Sequence, residues 1–417
     1  MTNKEDLMRR VAVTGMGIVS PLGNQVPEFW ENIKKGVCGI GPITKFDTTD
    51  YKVKVAGEVR DFDAKQFMDK MDVLHSDIYT QFAIGAAVQA VSESGIIGTV
   101  DDTRIGVYIG TGIGGIDTFM KEHKKLMEKG PRRVSPFFIP MMIANMASGM
   151  IAIRYQCKGP AMPAVTACAS ATNAIGEAMR LIRHGYADAM IAGGAEATVN
   201  ALAAAGFSTM QALSFSEDPL QASLPFDLRR SGFVMGEGAG VLVLEEYEHA
   251  VNRGATIYAE LCGYGATCDA YHMTQPHPEA EGGAKAIELA WQETGLDTDR
   301  VYYNAHGTGT PLNDKAETIA VKKAFGEDRA RKITISSTKS MTGHMLGAAG
   351  AAEAVISVLA LKEGIAPPTI GLTQPDPECD LDYTPLVAKE AEFDAALSSS
   401  LGFGGHNACI AFRKAGV

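Results

Sequence analysis

The sequence predicts an α/β fold made of two similar halves that pack on each other. Short apolar runs end in Gly-rich turns and are followed by long Ala-, Ile- and Leu-rich stretches with helical spacing. The same order of segments occurs twice along the 417 residues, which indicates an internal duplication. Strands that alternate with long helices are typical of buried sheets, so we expect mostly parallel strands.

Four segments of the first half have counterparts in the second half. In chain order the pairs are 10–23 with 258–269, 104–115 with 301–310, 163–185 with 333–364, and 187–197 with 395–412. The boundary is expected near residue 257, which divides the chain into residues 1–257 and 258–417. The surplus of the longer first half is expected to form a cap over the site, from residues 49–102, 117–140 and 207–231.

Composition excludes several classes of protein. The formal net charge of −11 argues against binding to nucleic acid or to anionic lipid. The chain begins with a polar stretch unlike a signal peptide, and no run of about 18 apolar residues predicts a membrane span. The seven cysteines are widely spaced, without the spacing of a metal finger or a disulfide framework. We therefore expect a cytoplasmic protein.

Cys168 is the candidate nucleophile. An apolar strand is expected to end at Thr166, with a helix starting within a residue or two. A thiol at a helix N-terminus lies near the positive end of the helix dipole, which lowers its pKa, and the unpaired N–H groups there could bind an oxyanion. The alternative is a buried, inert cysteine, and the position of Cys168 alone does not decide between the two.

Two histidines are the candidate partners of this thiol. His306 and His344 each follow a short strand at a Gly-rich turn, and ligands gather at such strand ends in α/β sheets. His344 lies in the segment that matches the Cys168 segment, so we expect both to face a common cavity. Imidazoles there could activate the thiol or donate hydrogen bonds to a thioester enolate. Lys339 could orient His344 or the carboxylate of Glu353.

Two other signals are rejected. Gly110, Gly112 and Gly115 match the dinucleotide-binding pattern, but the second strand with a terminal acidic residue does not follow. Ile113 is better interpreted as lining an apolar pocket. Zinc is not expected because the candidate ligands come from separate segments without metal-site spacing. No metal or organic cofactor is predicted.

Several motifs resemble one known family. They are TACASA around Cys168, NAHGTGTP around His306, STKSMTGHMLGAAG with His344, and GFGGHN from Gly402. Together they closely resemble the β-ketoacyl-[acyl-carrier-protein] synthases, nearest to the synthase II type. The resemblance implies a thiolase-like fold in α-β-α-β-α layers with a cap inserted in the first half, and a homodimer. It also implies decarboxylative Claisen condensation of a Cys-bound acyl chain with malonyl-acyl carrier protein in fatty acid elongation.

The resemblance also implies roles for the catalytic residues. Cys168 would take the acyl group from acyl carrier protein, and Lys339 would support His344. His306 and His344 would promote malonyl decarboxylation and stabilise the enolate. The backbone amides of Cys168 and Phe403 would form the oxyanion hole, and Phe403 would be a gate beside the thiol.

Further positions match the family's substrate and carrier sites. The substrate set is Ile113 and Phe207 in the acyl pocket, Thr308 and Thr310 at the pantetheine, and Gly402. The carrier-protein set is Lys65, Arg132 and Arg133, basic residues that would meet the acidic carrier. Glu353 and Asn304 match positions where some members hold a structural monovalent cation. One departure is the run Ser399, Ser400 and Leu401, where many members have Asn-Ser-Phe.

Three alternatives remain at this point. A polyketide-type ketosynthase would differ in substrate and partner. A non-catalytic partner resembling a chain-length factor would bind carrier protein without condensing, although Cys168 and both histidines are retained. A thiolase would need a second catalytic Cys, and the last segment offers His406 in its place.

Overall fold

The computed structural model describes residues 8–416, which form a mixed α/β fold around a ten-stranded sheet. The strands are β1 (Val11–Val19), β2 (Gly41–Pro42), β3 (Val55–Ala56), β4 (Ile105–Gly110), β5 (Ala161–Met162), β6 (Ala189–Glu196), β7 (Gly238–Glu246), β8 (Ala259–Cys268), β9 (Val301–Asn304), β10 (Thr334–Ser336), β11 (Ile365–Ala366), β12 (Lys389–Glu390), β13 (Ala395–Gly402) and β14 (His406–Arg413).

The helices lie mostly between these strands. They are α1 (Val26–Lys34), α2 (Lys70–Leu74), α3 (Ile78–Ser94), α4 (Ile116–Lys129), α5 (Phe138–Met142), α6 (Met146–Tyr155), α7 (Ser170–Arg183), α8 (Ala201–Thr209), α9 (Tyr247–Asn252), α10 (Glu281–Thr294), α11 (Pro311–Phe325), α12 (Glu327–Ala330), α13 (Lys339–Thr342) and α14 (Ala349–Glu363). Short 3₁₀ turns at Ala167–Ala169 and Leu346–Ala348 precede α7 and α14 directly.

The sheet has the same strand order in each half, read outward from its middle. The full order is β10-β9-β13-β14-β8-β1-β7-β6-β4-β5. From the centre, β1-β7-β6-β4-β5 in the first half corresponds to β8-β14-β13-β9-β10 in the second. The halves meet where β1 pairs with β8, through Ala12 opposite Glu260 and Val13 opposite Ala259. This order agrees with the four segment pairs predicted from the sequence.

Helices α7 and α14 lie between the two halves of the sheet. Each contacts strands of both halves, whereas α3 packs on β1, β6 and β7 and α10 packs on β8, β13 and β14. The result is the α-β-α-β-α layering that the family resemblance implied. Helix α14 is buried along almost its whole length, which explains why it is apolar on every face. Thr172 of α7 and Gly350 of α14 meet where the two helices cross.

The expectation of mostly parallel strands was wrong. Within the ten-stranded sheet five strand pairs are antiparallel and four are parallel. Apolar runs such as β7 and β14 are buried on both faces, and burial does not depend on strand direction. The antiparallel hairpin of β13 and β14 encloses the Gly-rich turn that contains Phe403.

One part of the expected cap belongs to the core. Helix α3 lies within the predicted 49–102 segment, but its buried face packs against the sheet and not over the site. Residues 207–231 do contribute cavity-lining side chains, including Phe207 and Ser231. Among residues 8–416, no helix combines the length and apolarity needed to cross a bilayer.

Candidate active site

A cavity of about 530 Å³ lies between the two halves. Its wall includes nine of the residues that the sequence predicted for the site: Cys168, His306, His344, Phe403, Ile113, Phe207, Thr308, Thr310 and Gly402. They come from both halves of the chain and line one shared cavity. A volume of this size suits an extended small-molecule group.

Cys168 occupies the middle of the 3₁₀ turn Ala167–Ala169, directly before α7. The preceding strand is shorter than predicted, because β5 ends at Met162 and not at Thr166. Ala167 has a φ of +50°, a left-handed conformation that costs a residue with a side chain about 1–3 kcal/mol. Ser170 holds the turn, since its Oγ donates to the Ala167 carbonyl at 2.6 Å and accepts the Thr166 N–H at 2.9 Å.

The prediction of a lowered thiol pKa was wrong. Burial raises the pKa of Cys168 to about 12, and the charge of Lys339 and the N–H groups of Cys168 and Phe403 only partly oppose it. The negative charge of Glu196 raises this pKa further. The sequence showed the helix terminus but not the depth at which the turn lies. The thiol is therefore largely protonated at neutral pH.

Two backbone N–H groups act on the sulfur, those of Cys168 and Phe403. Gly402 permits this approach, because a Cβ there would lie 2.8 Å from the Thr166 carbonyl oxygen and 3.3 Å from the Cys168 nitrogen. Paired N–H donors at one point are the arrangement of an oxyanion hole.

His306 and His344 converge on the thiol. One ligand atom from each ring and the Cys168 sulfur all lie within 4.8 Å of one another, and the ring centroids are 5.2 Å apart. Burial lowers the pKa of both imidazoles well below 6.5, and the charge of Lys339 lowers it further. Nδ1 of His344 accepts the Leu346 N–H at 3.3 Å, which leaves the ring proton on Nε2. Both rings are thus neutral, and His344 is a hydrogen-bond donor through Nε2.

Lys339 lies behind this group and not in the cavity wall. Its ammonium, 1% exposed, pairs with the carboxylate of Glu353. Of the two orientations considered from the sequence, the structure has Lys339 bound to Glu353 and not to the imidazole. Its positive charge acts on Cys168, His306 and His344 through space.

Three residues near the site were missed from the sequence. Glu317 accepts the N–H groups of His306 and Gly307, both at 2.7 Å, and so holds the His306 turn. Glu196 accepts hydrogen bonds from loops of both halves, and burial raises the pKa of each of these carboxyls to about 7. The ring of Phe233 packs edge-on against His344 at 5.3 Å between centroids. The available signal was Glu196 itself, an acidic residue at the end of a fully apolar strand.

The positions predicted for substrate binding all line the cavity. Ile113 and Phe207 form apolar wall, and Phe207 packs edge-on against Phe233. Thr308 and Thr310 lie with their hydroxyl oxygens 3.0 Å apart. Leu401, from the run that departs from the family pattern, also lines the wall.

The basic residues lie apart from the cavity. Lys65 lies in a 3₁₀ turn at Ala64–Gln66, and Arg132 and Arg133 lie in another at Pro131–Arg133. All three side chains are exposed. Their exposure leaves them free to contact a partner, but the cavity geometry does not itself require them.

Two groups of residues contain atoms that could bind a metal ion. Cys168, His306 and His344 converge despite their unpromising spacing, but the nearby ammonium of Lys339 and the protonated thiol both oppose a cation there. Asn304 Oδ1 and Glu353 Oε2 are buried and have no hydrogen-bond partner within residues 8–416, so they fit a monovalent cation that prefers oxygen ligands.

Family models match most of the chain. Residues 8–250 match the "Beta-ketoacyl synthase, N-terminal domain" and residues 258–373 match the "Beta-ketoacyl synthase, C-terminal domain". The 3-oxoacyl-[acyl-carrier-protein] synthase 2 of Synechocystis sp. is 52% identical over 409 residues, which cover 97% of this chain and 98% of the relative. The protein of the same name from Staphylococcus aureus strain COL is 52% identical over 408 residues, with the same coverage.

Solved structures are similar over nearly the whole chain. A β-ketoacyl synthase from Burkholderia phymatum is 36% identical with a TM-score of 0.90. A ketosynthase in complex with its type II polyketide acyl carrier protein is 35% identical, also with a TM-score of 0.90. Each match covers 98% of this chain and 100% of the other. These similarities confirm the predicted thiolase-like α/β fold.

Proposed function

The chain belongs to the β-ketoacyl synthase family, whose members are condensing acyltransferases, and we propose that it extends acyl chains by decarboxylative condensation with malonyl-acyl carrier protein. The observation that carries this proposal is the convergence of one thiol and two neutral imidazoles on a single cavity. The proposed pathway is fatty acid elongation, as in relatives that are 52% identical, whereas the polyketide ketosynthase is 35% identical.

The first step is transfer of the acyl group. The Cys168 sulfur attacks the carbonyl carbon of the acyl-carrier thioester, a new C–S bond forms, and the carrier thiol leaves with the proton that Cys168 gives up. The N–H groups of Cys168 and Phe403 stabilise the oxyanion of this step. Because burial raises the thiol pKa, the proton must leave as the sulfur attacks.

The second step makes the nucleophile. The bond between the malonyl carboxylate and its α-carbon breaks, CO₂ leaves, and its electron pair forms an enolate on the thioester. His306 and His344 donate hydrogen bonds to the enolate oxygen; a single such donor is typically worth about 3 kcal/mol. A neutral imidazole can be a donor without first losing a proton, and this is why the lowered pKa of both rings suits the task.

The third step joins the chains. The enolate carbon attacks the acyl-Cys168 carbonyl, a C–C bond forms, the C–S bond breaks, and the thiolate takes up a proton. The β-ketoacyl product leaves on the carrier. Two separate half-reactions predict ping-pong kinetics.

The test is a direct assay of both products. Purified protein is incubated with acyl-carrier protein and malonyl-carrier protein, and CO₂ and β-ketoacyl-carrier protein are measured. We expect both from the wild type and no β-ketoacyl product from Cys168→Ala. Absence of product from the wild type, or full condensation by Cys168→Ala, would reject the proposed function.

The proposed partner is acyl carrier protein, bound at the surface of Lys65, Arg132 and Arg133. Exposed basic residues attract an acidic carrier mainly through long-range electrostatics. Reversing Arg132 and Arg133 to Glu is expected to raise KM for carrier-bound substrates about tenfold and to leave kcat nearly unchanged. An unchanged KM would remove these arginines from the carrier surface.

We also propose a homodimer, a cytoplasmic location, and halves at residues 1–257 and 258–417. Strand β5 is an exposed sheet edge, with Met162 52% and the nearby Val165 53% exposed, and such an edge invites pairing with a second copy. All seven cysteines are free thiols, as is usual in a reducing compartment. A thiolase is disfavoured because Cys409 is fully buried in β14 and does not line the cavity.

A further inference from the structure

One buried carboxylate connects the acyl pocket to the turn that follows His344. Glu196 is the last residue of β6 and is fully buried. Its Oε2 accepts the Gly112 N–H at 2.7 Å and the Gly347 N–H at 3.0 Å. Its Oε1 accepts the Thr111 hydroxyl at 3.1 Å and the Ile113 N–H at 3.3 Å. One side chain thus binds loops from both halves of the molecule.

The two loops pack closely against each other beside this carboxylate. A Cβ added to Gly347 would lie 2.2 Å from the Gly112 nitrogen and 2.6 Å from Glu196 Oε2. The two backbones are therefore in contact, with the carboxylate oxygen bonded to both. An ionised carboxylate has about four acceptor sites, which match the four donors here.

Each loop leads directly to a functional side chain. Ile113 lines the cavity that also contains Cys168. Gly347 lies in the 3₁₀ turn that begins at Leu346, and the Leu346 N–H donates to Nδ1 of His344. A change at Glu196 must therefore disturb the acyl pocket and the imidazole together.

We propose that Glu196 is a positioning residue that sets both the shape of the acyl pocket at Ile113 and the orientation of His344, so that chain-length selection and malonyl decarboxylation depend on the same side chain. This inference rests on the proposed function. Glu317 does not connect the two halves in this way, because it binds the backbone N–H groups of His306 and Gly307, which both lie in one turn of the second half.

The experiment uses Glu196→Gln in the full chain and measures two half-reactions separately. Gln keeps the shape and one carbonyl oxygen, but its NH₂ group replaces either Oε1 or Oε2 and faces N–H or O–H donors, so the two hydrogen bonds of that oxygen are disrupted. Loading of Cys168 is measured as the increase in protein mass after incubation with carrier protein that bears a short, medium or long acyl chain. Decarboxylation is followed as CO₂ from malonyl-carrier protein in a Cys168→Ala background, where no condensation can occur.

The variant is expected to change both readouts. The ratio of long-chain to short-chain loading rates should shift by about fourfold, the effect of misplacing one buried methylene. CO₂ release should fall about tenfold or more, because small displacements of a positioned group have effects of this size. General loosening of the protein would slow all chain lengths alike and leave the ratio unchanged.

Three further variants identify the cause. Glu317→Gln should lower CO₂ release without shifting the loading ratio. Ile113→Phe fills the pocket and is expected to shorten the longest accepted chain, so it calibrates the ratio. Glu58→Gln removes a different buried carboxylate, bonded to the N–H groups of Thr44 and Lys45 and absent from the cavity wall, and should match the wild type in both readouts.

The outcomes separate this inference from the proposed function. A folded Glu196→Gln with the wild-type loading ratio overturns the inference even when the wild type condenses normally. A wild type that makes no β-ketoacyl product overturns the proposed function instead. If Glu196→Gln does not fold, Thr111→Val, which removes one of the four donors, is judged by the same shift in ratio.

Discussion

The same backbone turn occurs in both halves of the molecule but serves two different purposes. Ala167–Ala169 precedes α7, and Leu346–Ala348 precedes α14. The first residue of each turn is left-handed, with a φ of +50° at Ala167 and +47° at Leu346. The middle residue is Cys168 in one turn and Gly347 in the other.

The difference at that middle position explains why the two turns have different roles. The Cys168 side chain faces the cavity and can hold the acyl group. Gly347 has no side chain, so the Gly112 backbone and the Glu196 carboxylate can approach its N–H. The duplicated fold therefore supplies one turn for chemistry and one for support, while both imidazoles come from the supporting half.

The largest effects are expected from removing those imidazoles. His306→Ala and His344→Ala should each lower CO₂ release from malonyl-carrier protein by about 10²–10³-fold, since each removes one donor to the enolate oxygen. Loading of Cys168 should change much less, because its oxyanion is bound by backbone N–H groups. Stopped assays of each half-reaction check this. A loading defect as large as the decarboxylation defect would contradict the separation of roles.

A smaller effect is expected in the pH dependence of stability, from the carboxylate that holds the His306 turn. Burial raises the pKa of Glu317 from its ordinary 4.5 to about 7. Between pH 4.5 and pH 7 the Glu317 carboxyl keeps a proton in the folded chain that it has lost in the unfolded chain. The contribution of protonated Glu317 to stability is therefore present below pH 4.5 and is lost as pH rises through 7. In urea unfolding, the wild-type free energy of unfolding should fall relative to that of Glu317→Gln as the pH is raised, by an amount on the order of 3 kcal/mol. A difference that is flat with pH, or that rises, would contradict the shift.

The third prediction compares the two turns directly. Gly347→Ala should destabilise the fold by about 2 kcal/mol, because the added Cβ overlaps the Gly112 nitrogen. Cys168→Ala, at the equivalent position, should change the free energy of unfolding by less than about 1 kcal/mol, since its side chain faces a cavity. Thermal or urea unfolding of both variants measures the difference. Equal stability of the two would show that the second turn tolerates a side chain.

Much of the fold follows from local patterns in the sequence. The four segment pairs, the position of His344 opposite Cys168, and the shared cavity depend on strands that end in Gly-rich turns, and such patterns are local. Strand direction was not predictable in this way, because β7 and β14 have the same apolar composition that parallel strands would have. The position of α3 as an outer layer was also not predicted, because the composition of a helix does not show which surface it packs against.

The features of the site that were not predicted from the sequence depend on contacts between residues far apart in the chain. Glu196 bonds Gly112 and Gly347, which lie 84 and 151 residues away. The raised pKa of Cys168 arises from the depth of its turn below the surface, and no neighbour in the sequence reveals that depth. Phe233 was overlooked because nothing in its own segment indicates that it packs against His344.

The proposed mechanism requires that Cys168 alone holds the growing chain. It is tested most directly by incubating the protein with acyl-carrier protein, without malonyl-carrier protein, and mapping the added mass by peptide mass spectrometry. We expect one acyl group per chain, on the peptide that contains Cys168, and its release on addition of malonyl-carrier protein. An acyl group on another cysteine, or one that malonyl-carrier protein does not remove, would contradict it.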